Sequence, residues 1–148
     1  MPGKVKIDYD NADIYEGELD DQDRPHGRGV YTHHKETDEV QTGEYNGSWQ
    51  NGKKHGEGMH RYRNGDVYKG SWQNGLRHGH GTYTYYERTA NQSVKYVGNW
   101  ENDKKHGKGT MTFSNGDIYE GDWKNNNMQS KKSTYTYKDK SKYEGEYI

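Results

Sequence analysis

Alternation with a period of two runs through this chain. In Tyr68-Lys69-Gly70-Ser71-Trp72 the Tyr, Gly and Trp fall on one side and the Lys and Ser on the other. From His78 to Tyr85, Gly79, Gly81, Tyr83 and Tyr85 share a side opposite His80, Thr82 and Thr84. Both segments read as strands with an aromatic/glycine face and a polar face. Turn sequences such as Gln50-Asn51-Gly52-Lys53 and Gln73-Asn74-Gly75-Leu76 join the two kinds of strand, and Asn64-Gly65-Asp66 or Asn115-Gly116-Asp117 returns the chain to the next pair. Asn-Gly between alternating runs is a strong hairpin signal. Each unit is therefore predicted to be a β-hairpin.

The hairpins repeat. Tyr-x-Gly recurs at Tyr15/Gly17, Tyr45/Gly47, Tyr68/Gly70, Tyr96/Gly98, Tyr119/Gly121 and Tyr143/Gly145. Successive glycines are 30, 23, 28, 23 and 24 residues apart, one unit of about 23 residues with insertions. Two residues after each glycine stands Leu19, Trp49, Trp72, Trp100, Trp123 or Tyr147, so all 4 Trp of the chain hold one repeat position. A second signature, His-Gly-x-Gly, begins at His26, His55, His78 and His106; the fifth unit has Ser130-Lys131-Lys132-Ser133 in its place. Glycine inside a strand leaves a gap in which a neighbouring ring can lie. The resulting expectation is an all-β fold: an elongated, twisted single-layer antiparallel sheet of consecutive hairpins. Residues 1–14 form an N-terminal extension or capping strand, and 15–148 form the array.

Composition agrees with an aromatic rather than aliphatic interior. Of 148 residues only 13 are Ile, Leu, Val or Phe, yet 14% are aromatic and the net charge is -1, which separates the chain from disordered sequences. Near-neutral charge also argues against nucleic acid as a partner. With no Cys there is neither a disulfide framework nor a thiolate metal site. The segment Met1–Asp8 lacks the apolar h-region of a secretory signal, and together these features lead us to expect a cytoplasmic protein.

Taken together, Tyr-x-Gly-x-Trp, Asn-Gly, His-Gly-x-Gly and Asn-Gly-Asp on this period resemble the MORN repeat (membrane occupation and recognition nexus), from about Tyr15 to Tyr147. The resemblance implies a sheet whose aromatic face curls into a groove. It also implies a cytoskeletal setting, including ciliary axonemes and their radial spokes, since short all-repeat members resemble components of such assemblies.

Two surfaces emerge as candidates for binding. The aromatic groove would comprise Tyr45, Trp49, Tyr68, Trp72, Tyr83, Tyr85, Tyr96, Trp100, Tyr119 and Trp123. For each ring, repeat-to-repeat packing is the alternative to partner binding. The tips after each Trp carry Lys53, Lys54, Arg77, Lys104 and Lys105, extended by Lys131 and Lys132, as a basic edge. Such an edge could meet acidic proteins or anionic lipid, each cation contributing about 1 kcal/mol near a membrane surface. The opposite edge carries two long connections, 33–42 and 86–95, as further contact candidates.

Little in the chain suggests chemistry. Of the 8 His, four hold one repeat position, with neighbours about 10 Å apart, too far to share a metal ion, and the possible pairs His78/His80 and His33/His34 have no obvious third ligand. Gly47 to Lys53 has the spacing of a phosphate-binding loop but lacks the following Ser/Thr and helix. The sequence reading is thus a scaffold without enzymatic activity, cofactor, metal or small-molecule substrate, bound to one or more proteins in a larger assembly. A membrane-surface module is the alternative.

Overall fold

The computed structural model describes residues 3–34, 43–86 and 93–147. Every described element is a β-strand, and the chain divides into two compact units at residues 76 and 77. The first contains β1 (Val5–Asp8), β2 (Ile14–Leu19), β3 (Pro25–Thr32), β4 (Gly43–Gln50), β5 (Lys53–Tyr62) and β6 (Val67–Gln73). The second contains β7 (Leu76–Thr84), β8 (Ser93–Glu101), β9 (Lys104–Phe113), β10 (Ile118–Lys124), β11 (Asn127–Met128), β12 (Ser130–Thr136) and β13 (Lys142–Tyr147). In each unit, strands adjacent in the chain pair antiparallel, except that β10 takes both β11 and β12. The predicted all-β architecture of consecutive hairpins is what each unit shows.

Two kinds of turn alternate, and residue chemistry distinguishes them. The tip after Trp49 is a two-residue turn with positive φ at both Asn51 (51°) and Gly52 (79°), the hairpin geometry that Asn-Gly favours. Asn74-Gly75, Asn102-Asp103 and Asn125-Asn126 repeat it. Each tip is tied to the preceding one: the amides of Gly52, Gly75, Asp103 and Asn126 donate to the carbonyls of Pro25, Lys54, Arg77 and Lys105 at 2.9–3.1 Å. The repeated histidine adds a second tie, since Nδ1 of His26 and of His78 accepts the amide of Asn51 (3.5 Å) and Asn102 (3.3 Å). The returns through Asn-Gly-Asp are three-residue loops, 63–65 and 114–116, in which only the last residue, Gly65 (94°) or Gly116 (92°), has positive φ. At the first return Ala12 occupies that position with φ 70°, a strained conformation for a residue with Cβ.

The two glycines of His-Gly-x-Gly do different work. The first, at Gly27, Gly56, Gly79 and Gly107, has φ between 68° and 89°. It sits where the second strand carries two extra residues: register slips between Gly47/Trp49 and their partners Gly58/Lys54, and likewise at Gly98/Trp100. The second glycine pairs with the Tyr-x-Gly glycine, giving Gly17↔Gly29↔Gly47↔Gly58↔Gly70 in the first unit and Gly81↔Gly98↔Gly109↔Gly121 in the second. The fifth repeat lacks the bulge-forming glycine. There the tip is a tight Asn125-Asn126 turn followed by a two-residue β11 and a break at Gln129, whose amide donates to Asp122 O.

Candidate functional site

The aromatic face is a lattice of tyrosines, glycines and tryptophans. The Tyr-x-Gly hydroxyls of the first five units donate to the carbonyl three residues on: Tyr15 to Glu18 (2.7 Å), Tyr45 to Ser48, Tyr68 to Ser71 and Tyr96 to Asn99 (2.8 Å each), and Tyr119 to Asp122 (3.3 Å). The ring therefore lies flat across the neighbouring strand, where a Cβ at Gly29, Gly58 or Gly109 would overlap ring atoms of Tyr15, Tyr45 or Tyr96. Only glycine leaves that seat vacant. Tryptophan closes the lattice edge-on. Tyr45 meets its own Trp49 at 5.0 Å and 86°, and Trp72 of the next repeat at 5.3 Å and 87°; Tyr96 stands likewise between Trp100 and Trp123. Each edge-to-face pair adds about 0.5–1.5 kcal/mol beyond burial. The indole N–H groups of Trp49, Trp72, Trp100 and Trp123 donate to the carbonyls of Gly29, Gly58, Gly81 and Gly109 at 3.0–3.3 Å.

For these rings the contacts are those of repeat-to-repeat packing. Tyr45, Trp49, Tyr68, Trp72, Tyr83, Tyr96, Trp100, Tyr119 and Trp123 are all buried, the central tyrosines at 0–1% exposure, and only Tyr85 of the ten is half-buried. The physical reason, where it is seen directly, is that the next repeat's Trp covers Tyr15, Tyr45 and Tyr96, and a lysine lies over Tyr45 and Tyr96. Burial raises the Tyr15 hydroxyl to about 12 and pushes those of Tyr45 and Tyr96 well above their ordinary value.

The five residues of the basic edge divide in two. Lys53 and Lys104 are exposed. Lys54, Arg77 and Lys105, each the fifth residue after a Trp, lie on the aromatic side. A two-residue turn places that residue opposite the Trp, as the pairs Trp49↔Lys54 and Trp100↔Lys105 show. Lys54 Nζ sits 4.9 Å from the Trp72 ring centre and 5.1 Å from that of Tyr45, and donates to Nδ1 of the buried His60 at 3.0 Å. Arg77 stacks on Trp100 (4.7 Å) and Tyr83 (5.4 Å) while its Nε donates to Asp103 Oδ1 at 2.6 Å. Lys105 Nζ lies between Tyr85 (5.4 Å), Tyr96 (5.6 Å) and Trp123 (5.2 Å). Such contacts contribute about 0.5–2 kcal/mol each. Burial, with the Arg77 charge adding to it, lowers Lys105 to about 8.

A further group escaped the sequence reading, which took Asn-Gly-Asp only as a turn. Asp13, Asp66 and Asp117 are buried, each taking an amide hydrogen from the Asn two residues before it. Asp13 Oδ2 also accepts from Tyr31 Oη at 2.8 Å and lies 3.1 Å from His33 Nδ1, and Oδ1 accepts the His34 amide at 3.1 Å. Asp117 is held equivalently by Tyr135 Oη (2.9 Å) and the Lys138 amide (2.8 Å). Burial alone would raise the Asp13 carboxyl, but the hydrogen bonds from Tyr31 and His34, the His33 imidazole and Asn11 together hold it below the ordinary value. The fixed interval between Asn-Gly-Asp and a Tyr about 18 residues later was the available signal.

The two long connections fall largely at 35–42 and 87–92, outside the described residues, as do the side chains of Lys131 and Lys132. Tyr86, at the start of the second connection, is 61% exposed. Among the described residues no group of three or more His, Cys, Asp or Glu could hold a metal ion, and no helix is long and apolar enough to cross a membrane.

Comparison with curated proteins gives no match. The family model for the MORN repeat matches five times, at residues 15–35, 45–67, 68–88, 96–118 and 119–131, which together cover more than half of the chain. With a Tyr, a seat of glycine and a covering Trp recurring at the matched positions, the chain belongs to the MORN repeat family, repeat scaffolds that generally mediate protein or membrane-lipid interactions.

Proposed function

We propose that this chain is a non-enzymatic scaffold that holds protein segments within a cytoskeletal assembly, a ciliary axoneme being the setting its repeats resemble. One observation carries the choice of protein over membrane. Three of the five edge cations, Lys54, Arg77 and Lys105, are turned onto rings, so the tips of the described hairpins present Lys53 and Lys104 alone of that set. At about 1 kcal/mol per cation near an anionic surface, two give little membrane affinity. The buried lattice in turn supports a packed aromatic face within each unit rather than an open hydrophobic trough. Contacts are then made by its exposed side chains; among the described residues Tyr86, at the start of a long connection, is the most exposed large aromatic.

Detergent extraction of ciliated cells making the tagged full chain tests this reading. We expect retention with the insoluble cytoskeleton, reduced by Tyr86→Ser at unchanged circular dichroism. We also expect no flotation with phosphatidylserine-rich vesicles at physiological salt. Complete detergent solubility together with vesicle binding lost in Lys53→Glu/Lys104→Glu would replace it with the membrane alternative.

A further inference from the structure

The three inward cations share a position but not a chemistry. Lys54 has an imidazole acceptor in His60, and Arg77 has the Asp103 carboxylate. Lys105 has neither. Among the described residues its ammonium meets three aromatic faces, those of Tyr85, Tyr96 and Trp123, all within 5.6 Å, and no acceptor within hydrogen-bond distance. The residue that pairs with the tyrosine in the first unit is His60 opposite Tyr45; in the second it is Met111 opposite Tyr96, 2% exposed. A thioether replaces the one group that could have accepted from the ammonium.

Three aromatic faces around a cation, with no protein acceptor among the described residues, suit an ammonium whose hydrogens have been replaced by methyl groups. A methylated ammonium keeps the charge that the ring quadrupoles attract, loses the N–H donors that here go unmatched, and adds apolar surface against the rings. We propose that Lys105 is a site of Nζ-methylation and that Tyr85, Tyr96 and Trp123 form the cage that holds the methylated side chain.

The reaction requires a free amine and a methyl donor. A sulfonium compound, delivered by a methyltransferase, is the class of donor. The amine lone pair forms the N–C bond, the C–S bond breaks to leave a thioether, and the nitrogen proton passes to solvent. Lys105 is half-buried rather than enclosed. Its lowered value of about 8 leaves roughly a quarter of the side chains neutral at pH 7.5, against about one in a thousand for an ordinary lysine.

Reductive methylation of the full chain provides the test. With limiting formaldehyde and an amine–borane at pH 7.5, the amine condenses to an imine with loss of water, and hydride from the borane reduces it. Peptide mass spectrometry should find Lys105 dimethylated at least about tenfold faster than the exposed Lys104. After full methylation the thermal midpoint should rise in the native chain and stay unchanged or fall in Lys105→Arg, which keeps the charge over the rings but is inert to the reagent. Lys105 reacting no faster than Lys104 overturns the proposal. So does a midpoint that falls in the native chain, or that rises equally in Lys105→Arg.

Discussion

The first and second compact units build the same aromatic lattice and differ in how they treat the cation that covers it. In the first, Lys54 lies over Tyr45 and Trp72 and donates to His60, a buried imidazole held 4.3 Å from the Tyr62 ring. In the second, Lys105 lies over three rings and Met111 takes the place of the histidine. In the four repeats that carry Trp49, Trp72, Trp100 and Trp123 the tyrosine, seat glycine and tryptophan do not vary, because ring, seat and indole hydrogen bond are matched in shape. The cation needs only ring faces beneath it, so its polar partner is free to vary. Stability resides in the lattice, and chemical individuality in what surrounds the lid.

The largest effect should come from the shared part. Trp72→Ala and Trp123→Ala each remove an indole that covers two tyrosines and satisfies a glycine carbonyl, at a cost of about 3–5 kcal/mol. Urea unfolding should show similar losses for both. A large inequality would mean that the two units are not energetically equivalent.

Double-mutant cycles separate the lids. Lys54→Met combined with His60→Leu should show a coupling of about 1–2 kcal/mol, reflecting a charged hydrogen bond in a largely buried site. The corresponding cycle of Lys105→Met with Met111→Leu should give a coupling near zero. Equal couplings would erase the distinction drawn here.

The pH dependence sharpens it. The Lys105 amine titrates near 8 in the folded chain and near 10.5 when unfolded, so between these values the unfolded state binds more protons. Stability should therefore rise with pH from about 8 towards 10, and Lys105→Met should flatten that slope. Above pH 10 the trend reverses: burial keeps Tyr15, Tyr45 and Tyr96 protonated in the fold, whereas the unfolded tyrosines ionise. Thermal midpoints taken from pH 7 to 11 check both limbs.

The smallest change concerns the returns. Ala12 holds a positive φ where Gly65 and Gly116 stand in the equivalent loops, so Ala12→Gly should stabilise the first unit by about 0.5–1 kcal/mol. Gly116→Ala should destabilise the second by a similar amount, measured by the same denaturation.

Much of this was legible in the residues, and some that went unread could have been. Period-two alternation and the turn sequences defined the strands, and the single repeat position of all four tryptophans marked the lattice. The inward turn of Lys54 and Lys105 follows from counting across a two-residue tip, since the fifth residue after Trp must face the Trp's side. Hydrophobicity points the wrong way at this tip: Leu76 is 39% exposed, while the next residue, Arg77, has a side chain only 12% exposed. Reading charge as solvent-facing missed that aromatic faces attract cations. The buried Asp13 and Asp117 were hidden for another reason. Their hydroxyl and amide donors come from the following repeat, and no local pattern announces a carboxylate satisfied from outside its own hairpin.

By itself, then, the amino-acid sequence determined strand, turn and repeat, because these depend on side-chain parity and on the φ angles that Asn and Gly accept within a few residues. Only the tertiary structure decided which groups are accessible. Burial of a tyrosine depends on an indole some 27 residues away, and the fate of a lysine on whether a histidine or a methionine faces it across the sheet.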